Sequence, residues 1–298
     1  MTTVTIRAAR ADDEAAVSEL CPDVLQPADV VDDEGLAQLL WRTPGVSAFV
    51  AEASGSVIGA AFGTVIPETD ATLAGAITLL AVDPGHAHQG VGRALLEELE
   101  RRLGDLGATE IWTGGGQPRF WWPGIDATET ATITFFENAG YVEDDRVDNM
   151  RVALAEADLA ARPRADVSIR RLTAEEWPSF LSWMETAWED PWGTEVETTL
   201  HRSPVSCFVA ERNGSYLGFA AYATNRHSWF GPMGSSPEAR GSGLGSELLR
   251  LCLRDYVEQG LTECEIGWVG PVAFYEKAVG AAVWRTFVRL RKPLLARP

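Results

Sequence analysis

Two short glycine-bearing stretches are the parts of this sequence best suited to chemistry. The first is Gly90-Val91-Gly92-Arg93 and the second is Arg240-Gly241-Ser242-Gly243-Leu244-Gly245-Ser246. Each follows a strand-like apolar run and precedes a run with an apolar helical face. That face is Leu95, Leu96, Leu99 and Leu103 after the first, and Leu248, Leu249, Leu251, Cys252 and Leu253 after the second. A strand–glycine loop–helix unit leaves backbone N–H groups unpaired at the positive end of the helix dipole. Glycine lets a large anion approach those groups without obstruction. The expected ligand is a phosphate or pyrophosphate, and Arg240 adds a cation at the mouth of the second loop. A Walker A loop is excluded, because no G-x-x-x-x-G-K-[ST] run exists. A dinucleotide fingerprint is approached, with Glu263 roughly 20 residues further on. It fails because Ser246 stands at the third glycine position and the loop lies late in its domain.

The two loops belong to a repeat that runs through the chain. Thr5-Ile6-Arg7-Ala8-Ala9-Arg10-Ala11-Asp12-Asp13 parallels Ser168-Ile169-Arg170-Arg171-Leu172-Thr173-Ala174-Glu175-Glu176, and Phe49-Val50-Ala51-Glu52 is identical to Phe208-Val209-Ala210-Glu211. Gly90-Val91-Gly92 corresponds to Gly243-Leu244-Gly245, and Phe135-Phe136-Glu137 to Phe274-Tyr275-Glu276. Four matches in the same order imply two copies of one domain. The expected limits are 1–154 and 167–298, with 155–166 as linker.

Each copy predicts the same elements. A short strand (4–7; 167–170) leads into an acid-initiated helix, then further helical segments such as Glu34–Trp41. An antiparallel pair follows around a Gly-Ser turn (47–53 with 56–66; 205–211 with 215–224). The strand before the glycine loop is 75–82 in the first copy and 228–235 in the second. After the loop helix come a strand (110–113; 263–267), a short helix ending at Phe-x-Glu, and two last strands. The fold class is α/β of the mixed α+β kind: two tandem domains, each a mixed, mostly antiparallel sheet flanked by helices.

These residues resemble the GNAT superfamily of acyl-CoA-dependent N-acyltransferases. The resemblance rests on the Arg-Gly-x-Gly-x-Gly loop with Phe274-Tyr275-Glu276-Lys277-Ala278-x-Gly280-Ala281. In the first copy it rests on Val82-Asp83-Pro84, Gly90-Val91-Gly92-Arg93-Ala94-Leu95-Leu96 and Phe135-Phe136-Glu137-Asn138-Ala139-Gly140-Tyr141. It covers nearly the whole chain as a tandem pair. It implies acetyl-CoA as acyl donor, with its pyrophosphate on the loop amides and pantetheine along the preceding strand. It implies acyl transfer to a primary amine, and a small-molecule amine is the expected acceptor.

The copies depart differently from the family pattern. Arg240 fills the place where the family has Arg or Gln; the first copy has Ala87 there, followed by His88 instead of glycine. The resemblance implies that Tyr275 protonates the departing thiolate, whereas Phe136 has no proton to give. The second copy is therefore the expected catalytic one. Backbone N–H groups on the strand before the loop would stabilise the oxyanion. His227, just before that strand, and Glu265, on the next strand, are both candidate general bases. His86 and His88 lack a third ligand at metal spacing, so no metal is expected.

The interval from the loop to Phe-x-Glu is longer in the first copy, and the surplus falls near Phe120-Trp121-Trp122-Pro123-Gly124. Those tryptophans would line a substrate cleft or a seam between the copies. Trp183, Trp188, Trp192, Trp229 and Trp268 supply aromatic walls in the second copy.

Composition bounds the alternatives. The 298 residues are 46% hydrophobic and 23% charged, enough for two ordinary cores. The net charge is −18, and the whole excess sits in residues 1–160, with 27 acidic and 9 basic side chains. Nucleic acid and anionic membrane are therefore not expected partners. No apolar run approaches the ~18–20 residues that span a bilayer, and the amino-terminal segment carries acids rather than an apolar core. Cys21, Cys207, Cys252 and Cys264 form no C-x-x-C pair and read as reduced, buried thiols of a cytoplasmic protein. A monomer or homodimer is expected. Two other function classes stand beside the enzyme: a nucleotide-binding redox protein, opposed by the missing glycine, and a non-catalytic acyl-CoA-binding sensor, opposed by Tyr275 and Arg240.

Overall fold

The computed structural model describes residues 3–26, 29, 40–67, 72–116, 121–162, 166–188 and 192–294. Its contacts divide the chain into two compact units, one of residues 1–146 with 287–298 and one of residues 147–286. The expected helical segment Glu34–Trp41 falls largely outside the described residues; Leu40 and Trp41 are helical.

In the first unit, strands β1 (Val4–Ala8), β2 (Ser47–Ala53), β3 (Ser56–Pro67) and β4 (Leu73–Val82) pair antiparallel in sequence order. β4 then pairs parallel with β5 (Ala108–Thr113). Helix α1 (Glu14–Val24) covers one face of this sheet: Val17, Leu20 and Cys21 pack with Val50, Ala60, Phe62, Leu79 and Ala81. Helix α2 (Val91–Asp105) covers the other, and its spacing buries Val91, Leu95, Leu96, Leu99 and Leu103 against Phe49, Ala51, Ala61, Ile77 and Ile111. Each such leucine contributes about 1.5–3 kcal/mol by leaving water. The short strand β6 (Ile125–Asp126) and helix α3 (Thr130–Asn138) complete the run.

The second unit repeats this plan. β8 (Ser168–Arg171), β9 (Cys207–Arg212), β10 (Ser215–Tyr222) and β11 (Trp229–Ser235) are antiparallel neighbours, and β11 pairs parallel with β12 (Glu263–Val269). Helices α4 (Trp177–Trp188) and α5 (Gly193–Glu197) lie on one face. The other face is covered by α6 (Leu244–Glu258) and α7 (Val272–Val279).

The closing strands are where the units differ from the repeat read on the sequence. β12 takes its antiparallel partner from residues 148–153 of β7 (Val142–Ala153). β5 takes its partner from residues 291–293 of β13 (Ala282–Pro293). Each strand therefore leaves the unit that its sequence position assigns it to. The linker is also not a free tether. Arg250 donates to Asp158 O at 3.0 Å, Arg254 to Leu159 O at 2.7 Å, and the Arg162 N–H to Glu247 at 2.8 Å, which holds 158–162 on α6.

The repeated sequence builds a repeated ion cluster. Arg7 donates to both oxygens of Asp13 at 2.7 and 2.8 Å and to Glu52 at 2.8 Å. Arg170 makes the same bonds to Glu176, at 2.8 and 2.5 Å, and to Glu211, at 2.8 Å. Asp13 and Glu176 also accept the N–H of Arg10 and of Thr173, respectively, which starts the following helical turn. One arginine thus ties the first strand to the first helix and the second strand.

Candidate active site

The two glycine loops have the same backbone course. In the second unit β11 is followed by a 3-10 turn at Pro237–Ala239 and left-handed residues at Gly241 (φ +71°) and Gly243 (φ +82°); α6 then begins at Leu244. In the first unit a turn at Pro84–His86 is followed by left-handed His88 (φ +58°) and Gly90 (φ +82°), and α2 begins at Val91. His88 thus holds a conformation that costs glycine little and an L side chain more. The N-cap residues Gly243 and Gly90 have no side chain to cap their helices, and at the second loop the Leu244 N–H makes only a long bond to the Ser242 hydroxyl, at 3.4 Å. The first-turn N–H groups have no partner one turn earlier, so both helices present open donors.

The loops are built to let a ligand approach closely. Ser242 spends its hydroxyl on Ala239 O, at 2.6 Å. Gly245 lies against Met233 and the Phe274 ring, and Gly92 against Val82 and Phe135, so the Phe-x-Glu segment backs both loops. Arg240 is exposed at the rim. In the first unit Arg93 donates to Asn138 O at 3.2 Å and faces Glu97, away from the anion-binding role expected of it.

A gap in the sheet leads to each loop. β11 and β12 pair only at Trp229–Glu265 and Phe230–Ile266, while β11 runs on to Ser235. Residues 233–235 keep their bonds to β10 on the other side, and a bulge at Gly231-Pro232 shifts the register there. β4 and β5 likewise part after Ile77–Thr113, and the matching bulge falls at Thr78. Backbone groups of β11 beyond Phe230 therefore face an opening instead of a strand.

Tyr275 stands at the point where the second pair parts. It is 7% exposed and sits on α7, with its ring edge-on to Phe230 at 6.3 Å and Phe274 at 4.9 Å. No hydrogen-bond partner for its hydroxyl is seen among the described residues. Burial pushes the phenol well above its ordinary range, so it keeps its proton. Phe136 holds the equivalent place on α3, 3% exposed and packed edge-on against Phe135 and Tyr141.

The two expected bases stand beside β11 and on β12. His227 is half-buried in the β10–β11 turn, before β11 begins. The seven residues of β11 put it at the end away from the glycine loop, a strand length of roughly 20 Å. Glu265 is nearer the parting point but is held: it accepts the Asn149 side-chain N–H at 2.5 Å. Asn149 is wholly buried and its carbonyl accepts the Trp268 N–H at 2.8 Å. Ile266 faces the Tyr275 side of the sheet, so Glu265 points to the opposite face.

The first unit closes its own opening. Trp121 is 1% exposed and packs with Val17, Phe62, Leu79 and Ala81, the last two on β4 beyond its parting point. Trp122 packs on the same cluster, and its carbonyl accepts the Gly115 N–H at 2.8 Å. The expected cleft or seam of tryptophans is thus corrected for Trp121. Trp121 and Trp122 turn into the unit's own core, because the opened sheet offers apolar surface to an indole. Phe120 lies outside the described residues. Sequence reasoning also passed over Glu195, a buried carboxyl on α5 that belongs to no motif.

The four cysteines are free and buried. Among the described residues no helix is long and apolar enough to cross a membrane.

Comparison with known proteins agrees with this architecture. The chain is 28% identical over 274 residues to a mycothiol acetyltransferase of Streptomyces bingchenggensis, covering 85% of this chain and 78% of that one. A tandem GNAT protein from the clavulanic acid biosynthesis pathway superposes with a TM-score of 0.71 at 17% identity, covering 98% of each chain. The glucosamine N-acetyltransferase region of a fungal multi-domain GH3 beta-N-acetylglucosaminidase gives a TM-score of 0.82 at 19% identity. That match covers 98% of this chain but only 38% of the fungal one. The profile of the acetyltransferase (GNAT) family matches residues 16–141 and again 168–281. The chain is a tandem member of the GNAT acetyltransferase family.

Proposed function

We propose that the protein transfers an acetyl group from acetyl-CoA to the primary amine of a small molecule, and that the second unit does the chemistry. The observation that carries this reading is Tyr275: a protonated hydroxyl with no partner among the described residues, beside the parting point of β11 and β12. Phe136 cannot play that part, and Trp121 fills the matching face of the first unit. The name of the relative, mycothiol acetyltransferase, supports a small-molecule acceptor.

The residues fit the proposed donor. Open N–H groups at Gly245 and Ser246, with Gly241, Ser242, Gly243 and Leu244 before them, would receive a pyrophosphate, and Arg240 would pair with a phosphate oxygen. The unpaired edge of β11 would hold the pantetheine amides. When bound, acetyl-CoA supplies an activated thioester. Tyr275 would then give its proton to the thiolate as sulfur departs, a contribution typically of ~10²–10⁴-fold. Gly90, Val91, Gly92 and Arg93 offer the first unit a second anion site of similar backbone and weaker charge.

An amine library incubated with protein and acetyl-CoA tests this reading. Thiol release together with an acetylated product by mass spectrometry is expected. Tight acetyl-CoA binding with no thiol release for any amine would mark a sensor instead.

A further inference from the structure

Glu195 is a buried carboxyl on α5 of the second unit. It is 7% exposed, and its one side-chain partner among the described residues is the neutral amide of Asn225, which donates to it at 3.3 Å. Burial raises its pKa to about 8, and only the Asn225 bond opposes that rise. A carboxyl so placed is mostly uncharged at neutral pH.

Its surroundings point to a ligand. Trp192 precedes it by three positions at the start of α5, and rings of Trp188, Trp192 and Phe219 lie 5.7–6.0 Å apart. Trp188 and Trp192 are only half-buried. Trp188 lies directly on Gly234, where an added Cβ would stand 2.6 Å from its ring. The α5 segment is also bonded to the parting point. The Thr198 hydroxyl donates to Thr224 O at 3.1 Å, and the Thr224 hydroxyl donates to Gly231 O, at the β11 bulge, at 2.9 Å. Glu195 thus stands one helical turn from Trp192, and the Trp192 ring packs on Trp188 beside the opened strand, on the sheet face opposite Tyr275. Carboxylate plus indole faces is the chemistry that holds an organic ammonium ion.

We propose that the second unit binds an organic ammonium between Glu195 and the faces of Trp188 and Trp192, and that Glu195 takes the proton from its nitrogen. The second step rests on the acetyltransferase reading; the binding does not. On binding, the neutral carboxyl ionises and one proton is released to solvent. For transfer, the ammonium N–H bond breaks and an O–H bond forms on Glu195. The nitrogen keeps the electron pair and becomes the nucleophile, and no oxidant or reductant is involved. The titratable neighbours in sequence are Glu197 and His201 beside α5, Glu185 on α4, and Arg226 and His227 after Asn225. None of them contributes to the position of Glu195.

Phenethylamine serves as the probe, with full-length protein. Calorimetry in buffers of different ionisation enthalpy should show about one proton released per amine near neutral pH, fading above about pH 9. Infrared difference spectra should show a protonated-carboxyl band converted to carboxylate on amine addition. Glu195→Gln, which keeps the Asn225 bond, should lose that band and weaken amine binding about tenfold or more, with acetyl-CoA affinity unchanged. Trp192→Leu should weaken the amine but keep the proton release. Wild type that binds no phenethylamine, or binds it without proton release or band conversion, overturns the proposal. So does a Glu195→Gln protein with wild-type amine affinity. The wild-type arms stand even if the variant misfolds. Proton release and band conversion without acetyl transfer to any amine would sink only the acetyltransferase reading.

Discussion

The Tyr275 ring meets the Phe230 ring edge-on, with centroids 6.3 Å apart, and Phe230 is the last residue of β11 to pair with β12. The packing fixes the phenol where the sheet opens, independently of any ligand. Tyr275→Phe keeps that packing and removes only the hydroxyl. The turnover rate should fall by ~10²–10⁴ if no water substitutes, with acetyl-CoA affinity nearly constant. That pattern marks an interaction made mainly in the transition state. Phe136→Tyr should restore little, because Ala87 and His88 also depart from the second loop. Steady-state kinetics and calorimetry on the two variants check this. A Tyr275→Phe enzyme at full rate, with inactivity on changing Gly90 and Gly92, would move the chemistry to the first unit.

The loop glycines should separate cofactor binding from folding. A Cβ at Gly245 would stand 3.2 Å from the flexible end of Met233, which can yield, whereas Gly243 holds a left-handed φ of +82°. Gly245→Leu should therefore fold and lose acetyl-CoA affinity by blocking the amides. Gly243→Val should lose affinity and also stability, by about 1–2 kcal/mol from the left-handed backbone. The same change at Gly92 should alter total stoichiometry and leave the second site intact. Calorimetric titration of each variant reads both quantities, and an unchanged affinity at Gly245→Leu would reject the assignment.

Much of this arrangement was legible in the residues. The repeat located Arg7 and Arg170, the glycines located the helix starts, and Tyr275 against Phe136 separated the copies. Other features depend on non-local contacts. Nothing in Val147–Ala153 or Phe287–Pro293 says which sheet edge each strand joins, because strand propensity carries no partner identity. The burial of Trp121 is not legible in its own segment, because its environment is formed by Leu79 and Ala81, some 40 residues away. Glu195 gave no signal, since its burial comes from α4 and the β10–β11 turn.

Acid should loosen the ion clusters. Arg7 beside Asp13 holds that carboxyl below its ordinary value, and Arg170 does the same for Glu176. A depressed native value adds stability above the unfolded value, which is lost as pH falls through the native one. Asp13 is 7% exposed, so its loss is the more costly. Asp13→Asn should lower stability by about 1–3 kcal/mol at neutral pH. The difference from wild type should shrink below about pH 4. Denaturant titrations at several pH values check it, and a pH-independent difference would mean the charge is not what matters.

The exchanged strand ties the carboxyl-terminal segment to the first unit's core. Val288 and Leu290 are wholly buried in the first unit's core, with Leu95, Leu99 and Ile111. The Leu290 N–H also donates to the Thr113 hydroxyl at 2.9 Å. Leu290→Ala near the carboxyl end should therefore cost about 2–5 kcal/mol in the first unit, not in the second unit to which its sequence position assigns it. Amide exchange should show residues 73–82 and 108–113 losing protection, while 229–235 and 263–267 keep theirs. Acetyl-CoA affinity at the second loop should stay at wild-type level. Loss of protection confined to 229–269 would show that the carboxyl-terminal strand closes its own repeat instead.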